Sequence, residues 1–94
     1  LERAGCFSLV LECVPAALAK NISRELKIPT IGIGAGVGCD GQVLVMQDML
    51  GMNKDFHPKF LRTYFNGVEV LKDAFNRYHR DVVTEKFPAE KESY

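Results

Sequence analysis

The sequence carries no net charge: 12 basic side chains stand against 12 acidic ones in 94 residues. That balance removes the electrostatic ground for expecting nucleic acid or an anionic membrane surface as a partner. No apolar run approaches the roughly 20 residues of a membrane-spanning helix. Histidine is limited to two residues, and the three cysteines (Cys6, Cys13, Cys39) show no C-x-x-C spacing. A zinc site therefore has no ligand pattern to rest on. An odd cysteine count also argues for a reducing compartment, the cytoplasm, over a disulfide framework. What remains, 47% hydrophobic and 26% charged, is the composition of a globular segment of at most one domain with a modest core.

The first half reads as alternating strand and helix. Residues 6–12 form an apolar strand, Phe7-Ser8-Leu9-Val10-Leu11-Glu12, of the kind that is buried on both faces in a parallel sheet. Pro15 fits the first helical position, where its missing N–H costs nothing. Leu18, Ala19, Ile22 and Leu26 then make one apolar stripe, the mark of an amphipathic helix lying on a sheet. Pro29 ends that helix, because the residue before a proline is disfavoured in helical geometry. A second strand, Thr30-Ile31-Gly32-Ile33-Gly34, completes a parallel β–α–β unit. A third follows at Gln42-Val43-Leu44-Val45-Met46. The link between these last two is too short for an ordinary crossover helix, for which about 10–12 residues are typical. The pair is thus either antiparallel or joined by a crossover cut to one helical turn.

The second half is helical in pattern. Pro58 to Phe65 reads as a short helix broken at Asn66-Gly67. Val68, Leu71, Phe75, Tyr78 and Val82 then recur at spacings of 3 and 4 in a helix running to about Glu85, followed by a polar, frayed tail. Three strands of this character would leave open edges and an uncovered face that so few helices cannot hide. The chain also opens at Leu1, directly before a strand. Both features predict a slice of a larger parallel sheet or barrel, completed by further chain or by partners.

Glu12 is the leading candidate for chemistry. It leaves an apolar strand at its C-terminal end, where α/β proteins place their active sites. Such an acid is either paired structurally or poised to move protons. As a base it would gain from a pKa raised by burial. Asp48 ends the third strand in the same way and would share the rim if the strands are parallel. Gly36, Gly38 and Gly41 form a G-x-G-x-x-G, but a strand follows where the dinucleotide fingerprint needs a helix. Gly32 and Gly34 are better read as letting the backbone pack closely or approach a ligand, and the later glycines as allowing a tight turn with positive φ, in a loop that lines a pocket. Cys13 has no neighbouring cation or histidine in sequence to lower its pKa, and reads as an inert thiol. His57 and His79 belong to no ligand spacing.

Read together, the runs AGCFSLVLECVPAALAKNIS, IPTIGIGAGVGCDGQVLVMQDMLG, Pro58-Lys59-Phe60 and the terminal FPAEKESY closely resemble the ketopantoate hydroxymethyltransferases. The resemblance covers nearly the whole chain without a shift of register. It implies a (β/α)₈ barrel of which this chain is the C-terminal part, about the last three strands and flanking helices. On that reading, residues 1–50 are barrel strands and crossover helix, 51–86 are C-terminal helices, and 87–94 are tail. It further implies transfer of a one-carbon unit from 5,10-methylenetetrahydrofolate to 3-methyl-2-oxobutanoate. Glu12 matches the family's proton acceptor. The magnesium ion that chelates the keto acid would be bound by the missing N-terminal half, leaving no metal ligand in this chain. Substrate contacts within it are unassigned. Where relatives carry His-Asp, this chain has Gln47-Asp48. The resemblance also implies a homo-oligomer with subunit contacts through the C-terminal helix, and the fragment alone is expected to be inactive.

Overall fold

The centre of the molecule is one β–α–β unit, built as the apolar pattern dictates. In the computed structural model, which describes all 94 residues, β1 spans Leu9–Glu12, α1 Ala16–Glu25 and β2 Thr30–Ile33. The two strands are parallel, pairing Leu9 with Thr30, Val10 with Ile31, Leu11 with Gly32 and Glu12 with Ile33. β1 begins later than its apolar run, and Pro29 accounts for the difference. Leu9 N–H donates to the Pro29 carbonyl at 2.9 Å, but proline has no N–H to extend the ladder. Phe7 is left outside the sheet, 87% exposed.

Side chains alternate across a strand, so each strand has two unlike faces. Leu11 packs with Ala19 of α1 and with Ala35 to form the buried core, flanked by Leu9, Val14, Ile22 and Cys39. Leu9, Leu11, Thr30 and Gly32 thus lie on the face covered by α1. Val10, Glu12, Ile31 and Ile33 lie on the opposite face, which no helix covers, and Val10 is 59% exposed there. Within this chain β1 is buried on one side only, in contrast to the expectation of two.

The third strand, β3, is just Gly41–Gln42, and it is parallel to β2. Val43 N–H adds one more bond, to the Gly32 carbonyl at 3.0 Å. Beyond it the expected strand to Met46 has no partner, because β2 has already ended and Gly34, at φ +66°, turns the chain away. A short helix, α2 (Met46–Met49), begins instead. Neither expected form of the β2–β3 link is present: the strands are parallel, yet residues 34–40 cross in turns and bends without a helix. The crossing is possible because the loop lies flat on α1. A Cβ added at Gly36 would sit 2.5 Å from the Ala16 Cβ, and one at Gly38 would sit 2.7 Å from the Lys20 Cβ. Close backbone approach is therefore what these glycines provide.

A polar clamp closes that loop. Thr30 is fully buried. Its N–H and hydroxyl donate to Asp40 Oδ2 at 2.8 and 2.9 Å, and Ser23 Oγ of α1 sits 2.6 Å from the Thr30 hydroxyl. Strand, helix and loop end meet at this one threonine, with no buried polar side-chain atom left unpaired. Asp40 accepts both Thr30 bonds, which hold its carboxyl below the usual aspartate pKa.

Residues 58–65 do not form the expected helix. A single turn closes from Leu61 N–H to the Pro58 carbonyl at 3.0 Å, after which Tyr64 N–H reaches the Met49 carbonyl and the following Gly67 N–H the Leu50 carbonyl, each at 2.8 Å. Tertiary pairing with the end of α2 overrides local helical pattern. The last long helix, α3 (Gly67–Val83), is about 25 Å long. Its apolar stripe is largely bare, with Phe75 68% and Tyr78 58% exposed. The tail makes one short turn at Glu90–Glu92. The radius of gyration is 21.7 Å, against about 12 Å for a compact chain of this length, and only six residues are buried.

Candidate active site

Glu12 occupies the last position of β1, on the sheet face that α1 does not cover. Two residues earlier on the same face stands Val10, and across the ladder stand Ile31 and Ile33. The carboxylate thus emerges beside apolar neighbours at the C-terminal end of two parallel strands. It is exposed in this chain, so these 94 residues do not supply the burial expected of it. Nor is it structurally paired. The two ion pairs of the molecule lie elsewhere, Lys54 with Glu69 and Arg77 with Asp73.

Immediately after Glu12 the backbone makes an abrupt change. Cys13 adopts φ +53°, the left-handed region, and its N–H donates to the Ile33 carbonyl at 2.8 Å. Left-handed geometry is unusual for a residue with a Cβ and needs surrounding structure to hold it. Here the bond to β2 fixes the turn that carries the chain from strand to helix. The Cys13 thiol is free and exposed.

Past the strand ends lies a cleft of about 740 Å³. Each strand contributes to it through the residues that follow: Cys13 after β1, Gly34 after β2, Val43 after β3. Its remaining wall is the irregular segment 59–64, bringing Lys59, Phe60, Arg62 and Tyr64. Phe60 seats on Gly34, where a Cβ would come within 3.0 Å of the ring. Gln42 Nε2 donates to the Gly36 carbonyl at 2.9 Å and pins the glycine loop at the cleft edge. Glu12 itself is not in the wall; its neighbour Cys13 is.

The other sequence candidates are dispersed. Asp48 lies in α2 instead of at a strand end, and it does not line the cleft. His57 borders a second, smaller hollow with Lys54 and Asn66, and His79 lies on α3. The glycine run meets a strand at Gly41, as the pattern requires for a non-nucleotide loop. Sequence reasoning missed Lys59 and Arg62 as site residues. Their only signal was two cations bracketing an aromatic, hidden inside a segment that looked helical.

A parallel α/β sheet whose strands open onto a common cleft, with an unpaired acid at the rim, defines an enzyme-like class of architecture. The comparisons narrow it. A family model described as Ketopantoate hydroxymethyltransferase matches residues 1–90. Over all 94 residues the chain is 66% identical to the 3-methyl-2-oxobutanoate hydroxymethyltransferase of Bdellovibrio bacteriovorus, covering 36% of that protein. The proteins of the same name from Bacteroides fragilis and Francisella tularensis subsp. tularensis are 60% and 54% identical, with 34% and 36% of their lengths covered. The chain belongs to the ketopantoate hydroxymethyltransferase family, and it spans about a third of the length of the curated relatives it matches. No helix is long and apolar enough to cross a membrane.

Proposed function

We propose that these residues are the C-terminal part of a (β/α)₈-barrel enzyme that hydroxymethylates 3-methyl-2-oxobutanoate, using 5,10-methylenetetrahydrofolate and yielding 2-dehydropantoate for pantothenate and coenzyme A synthesis. Glu12 is the base that takes the proton from C3, the carbon next to the carbonyl. Water releases the donor's methylene carbon from its two nitrogens at the oxidation level of formaldehyde, and tetrahydrofolate leaves. The carbanion adds to that carbon, whose oxygen takes the proton back from Glu12 to become the hydroxyl. One observation carries this reading: Leu11 packs on α1, so Glu12 faces away from it. In a barrel whose helices lie outside, that direction is the interior, and the end of β1 is the catalytic rim.

Closure by further strands would cover Val10, Ile31 and Ile33 and take Glu12 out of bulk water. Burial of that kind raises a carboxylate's pKa toward the range a general base needs. These 94 residues do not fit the magnesium ion: no group of three His, Cys, Asp or Glu side chains is placed to hold a metal. We assign that ion to residues of the full protein beyond this chain, and expect the chain alone to be inactive. The bare stripe of α3 supports a second role, docking on another subunit in a homo-oligomer. The three free cysteines support a cytoplasmic location.

The test is exchange of the C3 proton of the keto acid into deuterated water by the full-length protein. Glu12→Gln keeps shape and removes the base, so exchange should fall by at least about a hundredfold. Binding of the keto acid should stay within about threefold, less than the cost of one lost charged hydrogen bond. Undiminished exchange would remove Glu12 from the role.

A further inference from the structure

The cleft past the strand ends has a charge pattern that the proton step at Glu12 does not explain. Two cations, Lys59 and Arg62, are among its lining residues, and no aspartate or glutamate is. Neither cation takes part in the two ion pairs of the chain. Most of the lining is apolar, with the Phe60 ring seated on Gly34. A site with this make-up selects an organic anion: an apolar or flat body for the wall and carboxylates for the cations. At about 740 Å³ the cleft falls in the size range of sites for drug-sized molecules, roughly 300–1,000 Å³. A five-carbon keto acid would leave most of it empty.

We infer that this cleft binds the one-carbon donor of the reaction proposed above, with Lys59 and Arg62 receiving the carboxylates of its glutamyl tail. The assignment rests on that reading and adds to it the residues that recognise the second substrate. The folate ring system lies along the apolar wall, and its tail runs toward the segment 59–64. The body is thus directed to the strand ends, where Glu12 prepares the acceptor. Phe60 and the absence of a Cβ at Gly34 set the shape of the wall. The two cations set the charge of the ligand.

The experiment uses the full-length protein and steady-state transfer rates, with donor and keto acid varied separately. Lys59→Ala and Arg62→Ala should each raise the KM for 5,10-methylenetetrahydrofolate by about tenfold, the scale of one hydrogen bond to a charged group. The KM for the keto acid should remain within about twofold, well below that scale. Lys59→Arg and Arg62→Lys, which keep the charge, should recover most of the affinity. Raising ionic strength should weaken donor binding in the wild type more than in the double alanine variant. Donor-free C3 exchange, run on the same preparations, reports whether the fold and the keto-acid site are intact. Wild-type transfer with a donor KM unmoved by the alanine variants would overturn the assignment. So would a change confined to the keto-acid KM. A full-length wild-type protein that carries out no transfer would instead overturn the underlying reading, and this assignment with it.

Discussion

Replacing Gly36 by alanine should destabilise the protein for two separable reasons, and a second substitution should relieve just one of them. Gly36 has φ +78°, a conformation that costs an L-residue about 1–2 kcal/mol. Its new Cβ would also lie 2.5 Å from the Ala16 Cβ and 3.3 Å from the Ala16 Cα. Forcing a methyl into packed structure costs about 1–3 kcal/mol, so Gly36→Ala is expected to lose about 2–5 kcal/mol in total. Ala16→Gly alone should cost about 0.5–1 kcal/mol, the usual difference between the two residues in a helix. In the double variant the Cβ–Cβ collision is gone while the backbone strain and the contact with Ala16 Cα stay. The two costs should therefore fall short of additivity by about 1 kcal/mol or more, where independent sites add within about 0.5 kcal/mol. Urea unfolding of the full-length wild type, both single variants and the double variant measures this directly. Strict additivity would show that the loop does not rest on α1 as described, and would refute the close-approach account of the glycines.

Thr30→Val removes the hydroxyl that joins Ser23 to Asp40 without changing side-chain volume much. With Thr30 fully buried, the loss should be about 1–3 kcal/mol in the same unfolding assay; a neutral result would mean the clamp contributes nothing. The Asp40 carboxyl is held below its usual value of 3.8 by the Thr30 N–H and hydroxyl. Its folded form therefore binds fewer protons than its unfolded form near that pH, and the stabilisation is present above 3.8 and lost as pH falls through the depressed value. The stability gap between wild type and Asp40→Asn should accordingly be constant at neutral pH and shrink on acidification, and a gap that widens in acid would contradict it. Phe75→Glu, on the bare stripe of α3, should lower the mass of the full-length assembly in light scattering, and an unchanged mass would remove α3 from the subunit contact.

What the sequence made legible was governed by local rules. The stop before Pro29, the β–α–β order and the place of Glu12 at a strand end each follow from periodicity or from proline geometry and stand in the structure. The α1 stripe stands at Ala19 and Ile22, while Leu18 is exposed and Leu26 lies past the helix end. Glu12's facing direction was also implicit, once Leu11 is known to be the residue that α1 buries. The misses share a different cause. Val43 to Met46 has strand composition, but a strand is made by its neighbour, and β2 ends too early to pair with it. Residues 58–65 have helical spacing, yet they close only one turn, Leu61 to Pro58, and Tyr64 N–H goes to Met49 instead. Lys59 and Arg62 became visible as site residues only after that segment was found folded against Gly34. The burial foreseen for Glu12 is not supplied by these 94 residues. The residues carrying the family resemblance, by contrast, were readable throughout, and the family match at residues 1–90 agrees with them.

The alternation along β1 has a consequence for how this region can vary over time. Leu9 and Leu11 face α1 while Val10 and Glu12 face the other way, and the ladder to Thr30 sets where that count begins. Inserting or deleting a single residue between Leu9 and Glu12 would turn the carboxylate onto the helix side and an apolar side chain onto the rim. Leu9, Val10 and Leu11 can each be exchanged for a side chain of similar size at modest cost, but the number of residues cannot change. The reach of the acid is a matter of counting, and descendants of this sequence are free to drift in composition there while remaining fixed in length.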